Sequence, residues 1–139
     1  MRKSVKRAKS RIAVSTWAEA DGRWDWYDAL LKTYLPPNPP GCPKGLSRFS
    51  NEDGMEDIMR DGQFANIQII REEAEFAYTD EETWWTCLWS AGSRYLLETI
   101  PPGSLHSFKT EAFEQLRKMK EPVGYLENFR TLFTLAVRC

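Results

Sequence analysis

The sequence predicts an α/β fold: a sheet of about three strands with flanking helices and a helical cap near residues 80–120. Three observations carry this expectation. The stretch "RIAVSTW" at 11–17 is short, β-branched and apolar, as a buried strand is. Residues 65–78 and 128–139 alternate with the period of two that places successive side chains on opposite faces of a sheet. Elsewhere apolar residues recur three and four apart, the spacing of a helix with one buried stripe.

Taken in chain order, the strand at 11–17 leads into "EADGRWDWYDALLKTYL", where Trp24, Tyr27, Leu30, Leu31 and Tyr34 fall on one helical face. Residues 36–45 hold five of the eight prolines, which lack an amide hydrogen and restrict the preceding residue, so a rigid extended loop is expected. Ser50 with Asp53 reads as the start of a helix whose stripe is Met55, Ile58 and Met59, with Gly62 as a left-handed C-cap. In the second strand, 65–78, Ile67 and Ile69 point one way and Gln68 and Ile70 the other. Thr79 and Glu82 form a T-x-x-E capping box that opens a helix running to the "PPG" at 101–103. This helix has two apolar stripes, one through Trp84, Leu88, Ala91 and Tyr95, the other through Trp85, Trp89, Gly92 and Leu96. A core-lying helix needs one. Another helix spans about 105–119, closing on Arg117, Lys118 and Lys120, where the helix dipole favours cations. The last strand follows Pro122 and Gly124.

The 139 residues are 42% hydrophobic and 28% charged, the balance of a globular protein, and suit a single domain, 11–139, behind a basic arm, 1–10. No apolar run approaches the roughly 20 residues of a membrane span, and no signal peptide is legible, so a cytoplasmic location is expected. Residues 1–11 carry six basic side chains and no acid, leaving 13 basic against 20 acidic in the remainder. An acidic body repels phosphate, which argues against a nucleic-acid partner. Cys42, Cys87 and Cys139 are odd in number and widely spaced, and His106 stands alone. Neither a disulfide framework nor a metal site is expected.

In the order of their elements, "RIAVSTW", "RFSNEDGMEDIMRDGQFANIQII", "TDEETWWTCLWSAGSRYLLETI" and "FRTLFTLAVRC" resemble the C-terminal half of class I S-adenosylmethionine (SAM) dependent methyltransferases of the UbiE-like small-molecule type. The resemblance covers about residues 5–139. It implies a partial Rossmann-like sheet made of the equivalents of strands five, seven and six, the last antiparallel, with cap helices closing over a methyl acceptor. The family's SAM-binding N-terminal half, with its glycine-rich loop and its ribose-binding acid, has no counterpart here. The chain alone is therefore expected to bind no cofactor and to be inactive, SAM entering only if another chain supplies that half.

What the resemblance implies for a site is an aromatic acceptor pocket, for which Trp17, Trp24, Tyr78, Trp84, Trp85, Trp89 and Arg94 are the candidates. The same rings also fit packing of the cap against the sheet. No catalytic residue is expected: the acids at 80–82 suit the first turn of a helix, and methyl transfer relies on orientation. With no strand-four equivalent, one edge of 11–17 is unpaired. A homodimer through that edge or through the cap aromatics is the expected partner, and a separately encoded SAM-binding half another. The competing function is a non-enzymatic module that binds a small hydrophobic ligand or serves as a structural dimer.

Overall fold

A computed structural model describes residues 10–37, 39, 46–90 and 92–138. Eight principal elements follow along the chain: β1 (Ser10–Trp17), α1 (Asp25–Tyr34), α2 (Glu52–Asp61), β2 (Phe64–Tyr78), α3 (Glu81–Ser90), α4 (Ser93–Thr99), α5 (Leu105–Arg117) and β3 (Tyr125–Arg138). The fold is α/β, its three strands ordered β1-β3-β2 in an antiparallel sheet. The basic arm and most of the proline segment lie outside the described residues. By its internal contacts the chain divides into two compact units, the first from the described parts of 1–20, 44–74 and 129–139, the second from those of 21–43 and 75–128.

In the first unit β1 and β3 are antiparallel, with Ile12, Val14 and Thr16 opposite Ala136, Thr134 and Leu132. These residues face α2. Its Met55 and Met59 are buried with Ala18, Leu132 and Ala136, and Ile12, Val14, Ile58, Phe64, Ile67 and Ile69 pack around them. The alternation in β2 that the sequence displays therefore puts Ile67 and Ile69 inward. The opposite face of the sheet is open: Trp17 is 68% exposed, and Phe133 and Leu135 are exposed too. At the rim, the Arg71 guanidinium bridges Glu19, Glu52 and Glu73, and Arg130 joins Glu73 at 3.4 Å.

α2 starts one residue later than the Ser50 reading, because the Asn51 side chain accepts the Gly54 amide at 2.8 Å. Gly54 is buried against the Arg48 backbone, where a Cβ would sit 2.2 Å from the Arg48 carbonyl oxygen. Gly62 is not left-handed. It has φ −77, and the positive values fall to Gln63 at 61 and Asn66 at 51.

In the second unit, Trp24, Trp84, Ala112, Leu116 and Tyr125 form one buried cluster, and Leu31, Leu97, Ile100 and Phe108 another. The cap of α3 is Asp80, whose carboxylate accepts the Thr83 amide at 2.8 Å. Thr79 and Glu82 do not form the expected box: β2 runs to Tyr78, so Thr79 falls too early, and Glu82 turns to Lys109 at 2.9 Å. The expected single helix to residue 100 is two helices, α3 ending at Ser90 and α4 beginning at Ser93. Ser90 Oγ, donating to the Cys87 carbonyl at 2.8 Å, marks the point where side chain and backbone compete at the end of α3. α5 ends at Arg117 and leads to β3 through a turn in which Glu121 and Gly124 exchange backbone hydrogen bonds.

Candidate functional site

Of the seven pocket candidates, the structure brings Trp24, Tyr78, Trp84, Trp85 and Trp89 into the second unit around one another. Trp84 is 2% exposed, and its ring lies 5.9 Å from Trp24 and 6.4 Å from Trp85. Trp85 meets Trp89 edge-on at 5.9 Å. The Trp24 indole N–H donates to the Leu126 carbonyl at 3.0 Å, so a buried ring with a polar edge finds its partner. Trp85 carries the Lys109 ammonium 5.3 Å from its ring centre. Two candidates stand apart. Arg94 is exposed and paired with Glu98 one helical turn on, at 2.7 Å. Trp17 belongs to the first unit, where it flanks a shallow cleft of about 220 Å³ with Ser15, Thr16, Thr131 and Phe133.

A second group, not anticipated from the sequence, sits at the start of the second unit. Asp21 is buried, and its carboxylate accepts the Arg23 amide at 3.0 Å, the Asn128 amide at 2.9 Å and the Arg23 guanidinium at 2.9 Å. The guanidinium contacts, opposed by burial and helped by the two amides, hold this carboxyl down at about 2. Arg23 continues to Glu75 at 2.9 Å. Glu127 behaves oppositely. It is half-buried, and desolvation lifts its carboxyl above the usual range, with Asp21 adding to the lift. Tyr78 donates its hydroxyl to Glu127 at 2.7 Å, and burial followed by that carboxylate raises the phenol.

Beside this group, Arg23, Met119, Glu121 and Leu126 line a cleft of about 260 Å³. Typical pockets for drug-sized ligands run to roughly 300–1,000 Å³, so this one suits a small group. Met119 and Leu126 offer apolar walls, and Glu121 and Arg23 polar ends. The Arg23 charge is already shared between two carboxylates, which leaves the rim acidic. Such a cleft can hold a small amphipathic molecule by its apolar body and a hydroxyl or amine.

The sequence signal for Asp21 was faint: an acid before the glycine of "ADGRW" reads as turn chemistry. Its long-range partner Asn128 stands 107 residues away. His106 is exposed on α5, and among the described residues no three His, Cys, Asp or Glu side chains converge as metal ligands. No helix among the described residues is long and apolar enough to cross a membrane. No family model and no curated protein matches the chain.

Proposed function

We propose that the chain is a methyltransferase-like protein, the acceptor-binding and cap portion of a SAM-dependent methyltransferase fold. The observation that carries this reading is the strand order β1-β3-β2, in which the last strand of the chain lies between the first two and antiparallel to both. That order is what equivalents of strands five, seven and six require. The helical segment that carries the ring cluster comes between β2 and β3 in the chain, an order that supports reading it as an acceptor cap.

The described residues do not fit SAM itself. A nucleotide-like cofactor needs glycines that let backbone amides approach it. Here the tight approaches of Gly54 and Gly124 are taken up by the chain's own backbone, at Arg48 and Tyr78. No step through the cofactor is therefore assigned to this chain. Its part is to bind and orient an acceptor, the contribution on which in-line methyl transfer chiefly relies.

The cleft lined by Arg23, Met119, Glu121 and Leu126 favours a second reading, a non-enzymatic module that binds a small amphipathic molecule. Calorimetry separates the two from a complete enzyme. Titrated with SAM, the chain is expected to give no saturable heat, and one-to-one binding would overturn the proposal that the cofactor site is absent. Titrated with small phenols and aryl amines, it is expected to bind with dissociation constants of roughly 10 μM to 1 mM, as a cleft of this size allows. No heat from either series would remove the acceptor reading.

A further inference from the structure

We propose that the edge of β1, unpaired among the described residues, pairs antiparallel with β1 of a second copy, about a two-fold axis at Val14. This inference concerns the first unit: the second copy takes the edge that a separately encoded SAM-binding half would otherwise fill, whether or not the cleft of the second unit binds an acceptor.

The phase of the hydrogen bonds comes first. Ala18 donates its amide to the Arg130 carbonyl at 2.9 Å, and the β1–β3 register continues that pairing from Trp17 with Thr131 down to Ser10 with Arg138. In an antiparallel ladder, residues that exchange bonds alternate with residues that do not. The even-numbered residues of β1 therefore bond to β3. The amides and carbonyls of Arg11, Ala13, Ser15 and Trp17 point the other way, to the edge of the sheet. This row has no proline, and within β1 only Arg11 is charged. Few of the devices that keep an edge strand from pairing are present.

The side chains then select the partner. A two-fold axis at Val14 sets Ile12 opposite the partner's Thr16, Ala13 opposite the partner's Ser15, and Arg11 opposite the partner's Trp17. Only this register pairs every residue from 11 to 17. Arg11 and Trp17 both stand on the open face and are exposed. The one charge of β1 and its one aromatic ring thus lie equally far from the axis, and symmetry brings each guanidinium to one indole of the other copy, a pair that occurs twice in the dimer. Such pairs attract. Within β1 no like charges meet across the axis. The pairing joins two three-stranded sheets into one, the closed arrangement typical of two-fold dimers.

Sizing by light scattering at roughly 10 μM, above the dissociation constant of a modest interface, is expected to give a dimer. Arg11→Glu and Trp17→Ala, both at exposed positions, are each expected to weaken it about tenfold, and exchanging the two residues in Arg11→Trp/Trp17→Arg to restore it. In a background with the three native cysteines changed to serine, Val14→Cys is expected to form an intermolecular disulfide on mild oxidation. Opposed residues of that kind lie about 4.5 Å apart, within disulfide reach. Ile12→Cys, separated from its copy by roughly 13 Å along the strands, is expected not to. A monomer at that concentration overturns the proposal, even if a different chain proves to hold the edge. A dimer indifferent to Arg11 and Trp17, or one linked through Ile12→Cys instead, overturns it as well.

Discussion

Asp21 shows how one buried carboxylate can organise a local site. Two amides and a guanidinium converge on it, and each bond to a charged group contributes more than a neutral one. Its pKa falls from 3.8 to about 2, so the folded state favours the ionised form. The stabilisation is therefore complete above pH 4 and lost as pH falls through about 2. Asp21→Asn is expected to cost about 2 kcal/mol in urea unfolding at pH 7, allowing for the solvent around Arg23. The gap between wild type and variant should close towards pH 2. A gap unchanged by pH would mean that shape, not charge, holds this site. Glu127 works in the opposite sense: its raised carboxyl makes the fold lose stability as pH rises through the ordinary carboxyl range. The difference between wild type and the Asp21 variant carries the Asp21 contribution together with its coupling to Glu127.

At the level of elements, turn chemistry decides where helices and strands stop. Gly124 has φ +121, a conformation costly to any residue with a Cβ, and an added Cβ would lie 2.1 Å from the Tyr78 carbonyl oxygen. The turn from α5 into β3 and the end of β2 are thereby locked together within the second unit. Gly124→Ala is expected to destabilise by about 3 kcal/mol or more, combining backbone strain with a clash against main chain that cannot step aside. Gly103→Ala, with open space around its Cβ, should change stability little and serves as the control. Equal melting of the two variants would show that the turn adapts. Asp80 makes the companion point for caps. An ionised side chain receiving an amide displaced the threonine that pattern reading favours, moving the helix start by one position.

Across the whole molecule, the period-two and helical patterns located all three strands and most of the helices, because each element has a face that must be buried. The stripe argument foresaw burial of Met55, Met59 and Trp84. It missed the end of α3 at Ser90, where the continuous apolar pattern hid a local competition for carbonyls. It also missed Leu97, buried in α4. The polar group around Asp21 was illegible for a different reason. Its partners come together only when residues 21 and 128 are folded against one another, and no local spacing encodes that meeting. Of the seven pocket candidates, five rings fall in the second unit. Sequence reasoning gave Trp17 and Arg94 the same role on residue type alone.

The placing of the indoles has an optical consequence. Trp24, Trp26, Trp84, Trp85 and Trp89 all belong to the second unit, and Trp17 alone to the first. Trp24 and Trp84 stack at 5.9 Å with 26° between planes, close enough for their transitions to couple and give a paired near-ultraviolet dichroism signal. Intrinsic emission during unfolding will therefore follow one unit almost alone. The portion that iodide can quench should come chiefly from Trp17, a built-in reporter of whether the open sheet face is covered. Loss of that quenching as protein concentration rises, with the coupled dichroism unchanged, is the expected signature of a partner arriving at the first unit.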